Sequence, residues 1–516
     1  MDLEIYDSTL RDGSQGEGVN LSVADKLNLT RDLDWLGVAY IEGGWPGSNP
    51  KDEEYFAKVP ELTLEHAKIC AFGSTRRARS GAKDDANLRK LVEARAQVTT
   101  IFGKTWDLHV RDALRVSLED NLAMISDSVA YLASETGRPV FYDAEHFFDG
   151  YKANRDYAMQ TLQAAHAAGA QRLILCDTNG GGMPWEVTAA VLEVARMLPQ
   201  ARLGIHVHND GGLAVANTMA AVQAGCIQIQ GCMNGVGERC GNVDLTTAIA
   251  NCELKLGKRC LPEGHLQRLT EVSRTVWERV NLIGPTNQPF VGRSAFAHKG
   301  GIHVAGIEAE ARSYEHVEPA AVGNERAILP SELSGKATIR DQARAAGIEI
   351  DDEGASRAIE KLKEREHRGY HYEAAPASFE LLLRNEAGVY KPLFELESYR
   401  VVTQRRAGGE VETEATVKVH VGGERYVEIA EGNGPVSALD KALRQAITSR
   451  HPHLAEIELT NYKVRILDQN RGTEAVTRVL LDSADGEREW GTTGVSGNVI
   501  EASWQALVDS LEYAFQ

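Results

Sequence analysis

Leu3-Glu4-Ile5-Tyr6-Asp7-Ser8-Thr9-Leu10-Arg11-Asp12-Gly13-Ser14-Gln15 is the stretch on which the fold turns. A short apolar run (Leu3, Ile5) reads as a strand, and it leads to an arginine beside an aspartate with a glycine behind them. Arg-Asp-Gly adds nothing to a core, so the pattern is that of a buried strand delivering a functional loop. A surface turn with a local ion pair would look the same on this stretch alone. The functional reading makes Asp12 a metal ligand and sets Arg11 beside it to steady a carbonyl. Ser22 with Asp25 then resembles a capping box, opening a helix with Val23, Leu27, Leu33 and Leu36 near one face and Lys26 within it.

That strand-and-helix unit recurs. Further runs lie at 40–42, 69–72, 98–102, 140–142, 173–176, 203–207 and 227–229, and amphipathic stretches at 88–94, 122–132, 157–168, 185–197 and 213–224 fall between them. About eight strand–helix units over some 250 residues predict an α/β fold, a (β/α)8 TIM barrel across residues 1–256. A doubly wound sheet usually has fewer strands. Polar, chemically capable residues end nearly every run: Arg11-Asp12, Glu42, Asp143 with Glu145, Asp177-Thr178-Asn179, His206 with His208, and Asn234. A barrel gathers the C-terminal ends of all its strands on one face, so these groups are expected to converge at one mouth.

In Leu203-Gly204-Ile205-His206-Val207-His208-Asn209-Asp210 the two histidines are two apart on a strand, which points both imidazoles to the same side. A lone histidine there would be structural, whereas the pair reads as ligands, with Asp12 on the adjacent first strand as their anionic partner. Nitrogen and oxygen donors without thiolate suit Mn2+, Mg2+ or Zn2+ with positions left open for substrate. The loop from Asn234 to Asn242 is rich in glycine. It is either a plain turn or the source of a fourth ligand, the Asn242 amide oxygen. Cys240 within it is either a small packed residue or a reactive thiol near the metal.

Bulk properties exclude several classes. With 516 residues, 43% hydrophobic and 25% charged, the chain is a globular protein of two or three domains. A net charge of −18 disfavours nucleic acid and anionic membranes as partners. No apolar run approaches the roughly 20 residues that span a bilayer, and the N-terminus reads at once as a strand, so a cytoplasmic location is expected. The 7 cysteines lack paired spacing, which suits reduced thiols.

Two motifs carry a family resemblance. LRDGSQ at 10–15, with Lys26 on the following helix, and HVHNDGGLA at 206–214 resemble the signatures of the 2-isopropylmalate, homocitrate and citramalate synthases. EGGWPGSNPKDEEYF (42–56), FGKTWDLHV (102–110), YDAEHFFDGYKAN (142–154) and LCDTNGG (175–181) look like the bacterial citramalate branch. The resemblance covers essentially the whole chain. It implies Asp12, His206, His208 and Asn242 as metal ligands, Arg11 and Thr178 as groups binding a 2-keto acid, and Glu145 near the reacting centre. Gln15 would orient the substrate or cap its loop. Gly211 departs from the family, where Ser or Thr is common after HND. The implied reaction is a Claisen condensation of acetyl-CoA, as co-substrate, with pyruvate, followed by thioester hydrolysis, in isoleucine biosynthesis. Another keto acid would make the chain a 2-isopropylmalate or homocitrate synthase. The hydroxymethylglutaryl-CoA lyases share barrel and metal but cleave, and there a cysteine in the glycine-rich loop acts. A non-catalytic amino-acid sensor on a dead barrel is the remaining alternative, disfavoured by the joint presence of all four ligands.

Residues 257–375 read as a helical linker region. A helical stretch at 266–282 breaks at Ile283-Gly284-Pro285, and Gly292–His303 is a loop with two histidines and a lysine around paired glycines. By resemblance this segment reaches over a barrel mouth, commonly the partner subunit's, with His303 and Tyr314 in the catalytic set and His298 close by. The stretches 339–346 and 355–364 read as charged, solvated helices. Residues 376–516 read as an α+β domain with strands at 379–383, 394–402, 415–421, 463–467 and 475–481. A glycine-rich loop is expected at 491–497, and helices follow Gly434 and Asn498. The two helices recur at an offset of about 64 residues, the mark of an internal duplication. By resemblance this is a regulatory domain of a homodimer, with isoleucine as the expected effector and structural dimerisation alone as the alternative.

Overall fold

The computed structural model describes residues 2–329, 335–467 and 474–516. The chain divides into two compact units, one of residues 1–296 and 316–326, the other of residues 297–315 and 327–516.

The first unit is the expected barrel. Its parallel strands are β1 (Glu4–Asp7), β2 (Tyr40–Gly44), β3 (Lys68–Ser74), β4 (Val98–Lys104), β5 (Val140–Glu145), β6 (Arg172–Asp177), β7 (Leu203–Val207) and β8 (Gln228–Gly231), in sequential order and closed by pairing of β1 with β8. The principal helix after each is α1 (Val23–Leu36), α2 (Pro50–Lys58), α3 (Ala86–Glu93), α4 (Leu118–Thr136), α5 (Arg155–Ala167), α6 (Pro184–Met197), α7 (Ala214–Gln223) and α8 (Leu245–Leu254). The Ser22 hydroxyl and Asp25 carboxylate cap α1 reciprocally, as their spacing predicts. Leu29, Leu33, Val129, Leu162, Val191 and Ile249 are buried in the apolar layer between helices and strands. The floor of the barrel is closed by Glu4, which accepts hydrogen bonds from Arg172 (2.9 and 2.6 Å) and Gln228 (3.1 Å). A further helix, α9 (Leu269–Arg279), packs on α1.

The second unit opens with two short paired strands, β9 (Ala297–His298) and β10 (Ala327–Ile328), and a helix, α10 (Gly301–Ala309). Helices α11 (Lys336–Ala345), α12 (Asp352–His367) and α13 (Pro376–Glu386) follow. They bury Ile339, Ala343, Ala355, Ala358 and Leu362 with Phe379, Leu382 and Leu383, so the two stretches expected to be solvated form one face of a small core. The expected strand at 379–383 is the interior of α13. Pro376 sits in its first turn, and Phe379, Leu382 and Leu383 recur at helical rather than alternating spacing.

The C-terminal duplication is present. β11 (Glu395–Arg405), β12 (Val411–Val421) and β13 (Glu424–Gly432) form one antiparallel sheet with α14 (Pro435–Thr448) packed on it. β14 (Glu458–Ile466), β15 (Thr477–Ala484) and β16 (Glu489–Ser496) form a second with α15 (Val499–Phe515). The glycine-rich loop expected at 491–497 is thus mostly strand β16. Its glycines serve close packing instead: a Cβ on Gly494 would lie 2.0 Å from the Ala502 carbonyl of α15.

Candidate metal centre and active site

At the C-terminal end of the barrel, Asp12, His206 and His208 converge. Asp12 Oδ2 lies 3.4 Å from His206 Nε2 and 4.0 Å from His208 Nε2, and the two imidazole nitrogens are 3.4 Å apart. All three residues are buried. Burial pushes the Asp12 carboxyl up, but Arg11, His206 and His208 outweigh it and hold the group well below the usual carboxylate range. Burial with the neighbouring His206 lowers His208 to about 4, while Asp12 overcomes burial and raises His206. An anionic site with two facing ring nitrogens has room for a single positive charge between them, and that donor chemistry fits a divalent cation.

An orphaned atom supports that fit: the Asn242 Oδ1 is buried without a hydrogen-bond partner. Asn242 is held beside His208 by an isolated antiparallel bridge between the two backbones. The loop requires its glycine there: at Gly237, with φ 152°, a Cβ would lie 2.3 Å from the Asn242 amide nitrogen.

Neighbouring side chains orient His206. Gln230 on β8 places its Oε1 3.2 Å from His206 Nδ1 and donates from its Nε2 to Asp143 Oδ1 at 3.1 Å. The Gln230 oxygen accepts the Nδ1 proton, which turns the His206 Nε2 toward Asp12. Burial pushes the Asp143 carboxyl up to about 7. Arg11 is fixed in the same manner. Its Nε donates to Glu42 Oε1 at 2.6 Å, its Nη1 lies 3.3 Å from Asp12, and its guanidinium lies 3.7 Å from the Phe72 ring centroid. Glu42 is fully buried and also accepts from Tyr6 (2.6 Å) and Ser8 (2.5 Å).

Arg11, Asp12, Asp143, His206 and His208 line a cavity of about 230 Å³ together with Gln15, Trp45, Phe72, Phe102, Glu145, Cys176, Thr178, Glu238 and Arg239. Arg11, Asp12, Gln15, Glu145, Thr178, His206 and His208 are therefore brought together. Thr178 Oγ1 accepts the His146 backbone N–H at 2.9 Å, and Glu145 is ion-paired with Lys104. His303 and Tyr314 belong to the other unit, where both are exposed and their rings stack at 4.4 Å. His298 is buried there against Glu315 at 3.1 Å. Cys240 is exposed, which removes the packing reading of this residue.

Residues 2–276 match the HMGL-like family model, residues 290–369 the homocitrate synthase post-HMGL domain-like model, and residues 373–515 the LeuA allosteric (dimerisation) domain. The chain is 50% identical to the (R)-citramalate synthase of Synechocystis sp., covering 100% of this chain and 96% of that one. It is 49% identical to the (R)-citramalate synthase of Geobacter sulfurreducens, over 99% of this chain and 97% of that one. A probable 2-isopropylmalate synthase of Methanopyrus kandleri is 32% identical over 98% and 97%. The chain belongs to the 2-isopropylmalate and homocitrate synthase family.

Within this member of the family, several residues of the site escape a reading of the sequence. Glu42 and Asp143 stand at strand ends, but nothing local assigns them roles. Gln230 left a signal: Gln228 and Gln230 alternate on β8, and polar residues two apart on a buried strand face the barrel interior. Trp45, Phe72 and Phe102 left none, since aromatic residues in or near barrel strands are ordinary core. Lys26 of the first motif lies outside the cavity, buried and ion-paired with Asp52 at 2.5 Å.

Proposed function

We infer that the chain is an (R)-citramalate synthase, which condenses acetyl-CoA with pyruvate and hydrolyses the resulting thioester to release CoA. The observation that carries this reading is the Asp12–His206–His208 cluster with the Arg11 guanidinium beside it, all lining one small cavity. The site residues take these roles as our assignment. Asp12, His206, His208 and the Asn242 oxygen hold a divalent cation, Mn2+, Mg2+ or Zn2+. When bound, it supplies Lewis-acid polarisation of the 2-keto acid.

Arg11 has its Nε committed to Glu42 and its Nη1 beside Asp12, which leaves Nη2 to face the keto oxygen and offset the charge that builds there. Thr178 accepts from the His146 backbone and keeps its own hydroxyl proton for the substrate carboxylate. Gln15, exposed at the rim, orients the same substrate. Glu145, held by Lys104, stands at the reacting side. The stacked His303 and Tyr314, with Glu145, form the set from which the base that removes a methyl proton of acetyl-CoA is drawn. Residues 1–256 carry the metal and keto-acid groups, 257–375 link and contribute the His303 and Tyr314 segment, and 376–516 regulate as a homodimer with isoleucine as effector. A cytoplasmic location accords with a chain in which, among the described residues, no helix is long and apolar enough to cross a membrane.

A panel of 2-keto acids, assayed by acetyl-CoA-dependent thiol release with and without isoleucine, tests the reading. Pyruvate is expected to give the highest kcat/KM and isoleucine to inhibit. Preference for 2-oxoisovalerate or 2-oxoglutarate would move the chain to another branch of its family.

A further inference from the structure

The cavity has one apolar wall, built from three aromatic rings. Phe72 and Phe102, on β3 and β4, stack with centroids 5.5 Å apart, and the Trp45 indole stands edge-on to them at 5.9 and 5.7 Å. The polar lining is Asp12, the two histidines, Thr178 and Arg11, whose guanidinium lies 3.7 Å from the Phe72 ring centroid at the edge of the wall. A 2-keto acid whose carboxylate and keto oxygen face those groups must turn its alkyl substituent to the rings. The position of the wall then sets the longest substituent that fits. This step rests on the keto-acid reading of the site.

Trp45 is held from outside the cavity, at two points. Its backbone N–H donates to Asp52 at 2.8 Å, and Asp52 is paired with Lys26, which gives that motif residue a role. Its indole N–H donates to Asn87 Oδ1 at 2.7 Å, and the Asn87 amide donates in turn to the Ser74 carbonyl at the end of β3, at 2.8 Å. Asn87 lies on α3, half-buried, and does not line the cavity. Phe72 is held against the Arg11 guanidinium and Phe102 lies 5.5 Å from the Lys104 ammonium, so this hydrogen bond is what fixes the remaining ring of the wall, the Trp45 indole. We propose that Asn87 is a positioning residue for substrate selection: through the Trp45 indole it holds the aromatic wall in place and restricts the keto acid to a methyl substituent.

The readout is the ratio of kcat/KM for pyruvate to that for 2-oxobutanoate, one methylene longer. Pockets of this kind discriminate one methylene by about 10–200-fold. Asn87→Ala is expected to lower the ratio about tenfold, through KM for pyruvate and improved use of 2-oxobutanoate. Trp45→Phe, which deletes the indole N–H, is expected to lower it similarly, and the double variant to show no further change. Asn87→Asp keeps the acceptor for the indole but loses the amide that donates to the Ser74 carbonyl, and it is expected to recover only part of the wild-type ratio. The proposal is overturned if Asn87→Ala loses activity toward both acids equally, or if the two substitutions multiply. The wild-type ratio tests the pyruvate reading, and its change on substitution tests the brace, so the two fail separately.

Discussion

The barrel mouth and the outer faces of the two C-terminal sheets break the inside–outside rule in opposite directions. At the mouth, Asp12, Glu42, Asp143, His206 and His208 are all buried. On the sheets, Ala415, Val417 and Val419 of β12 and Val479 and Leu481 of β15 face the helices and are buried, as period-two patterning requires. Yet Val427 and Ile429 of β13 and Tyr462, Val464 and Ile466 of β14 are exposed, Ile429 at 56% and Ile466 at 52%. Charge kept out of water costs free energy and survives where partners and chemistry hold it. Apolar surface kept in water is the mark of an interaction face, and this region matches a dimerisation domain. Misplaced polarity therefore points to chemistry in one region and to association in the other.

The largest effect is expected at the mouth itself. His208→Ala removes one of the two facing ring nitrogens, and metal affinity and activity are expected to fall together by more than about a hundredfold. Metal content by mass spectrometry, read beside thiol release, checks this, and a metal-replete active variant would remove the candidate centre. Glu42→Gln tests a buried charge that does not face the cavity. Arg11 would lose its charged acceptor, and breaking such a buried pair costs about 3–5 kcal/mol of stability. A denaturant midpoint unchanged from wild type would show that Glu42 is a spectator.

One buried carboxylate in the C-terminal domain sharpens the contrast. Glu512 on α15 is buried, and burial pushes it up to about 7 from an ordinary 4.5, with only the Leu393 backbone N–H opposing at 3.4 Å. The folded state thus binds the proton more tightly than the unfolded state does. Stability is expected to fall as pH rises from 4.5 to 7, and Glu512→Gln to flatten that slope. The loss across that window is about 3 kcal/mol. Thermal melts across that window measure it, and a Gln variant retaining the slope would place the titration elsewhere. Next in size is Ile429→Asp, which puts a charge on the exposed face of β13 and is expected to shift the chain toward monomer in light scattering. The substitution forfeits about 1.5–3 kcal/mol per buried aliphatic side chain. An unshifted dimer would mean that this face is not the interface.

How much of this was legible in the sequence follows from periodicity and range. Every barrel strand overlaps a run read from apolar spacing, because a parallel strand buried on both faces leaves an unbroken signature. The errors fell where composition and spacing conflict. Phe379–Leu383 has the apolar density of a strand but lies in a helix begun by Pro376, and the glycines at 491–497 resemble a loop but let α15 approach β16. At the site, Asp12, His206 and His208 were legible because the strand order alone brings them together. Glu42 was not, since its role lies in three hydrogen bonds from Tyr6, Ser8 and Arg11 that only the closed barrel creates. Asn87 was further out of reach, acting through a contact with Trp45 across 42 residues of sequence.

The smallest effect is expected at Cys240, and it bears on the boundary between the two halves of the comparison. This thiol lies in the glycine-rich loop at the barrel mouth, yet it is exposed and does not line the cavity, whereas its neighbours Glu238 and Arg239 do. Arg239 is committed to Asp210 at 2.8 Å and to the Thr178 carbonyl at 2.7 Å, and these contacts tie the loop to the substrate side without the cysteine. Cys240→Ala should therefore change condensation activity by less than about twofold, since exposed substitutions away from such contacts stay within about ±0.5 kcal/mol. A cleavage enzyme using the loop cysteine as its acid would lose its activity altogether with the same change. The variant, assayed for thiol release from acetyl-CoA with pyruvate and for cleavage of hydroxymethylglutaryl-CoA, separates the two chemistries that this barrel and donor set support.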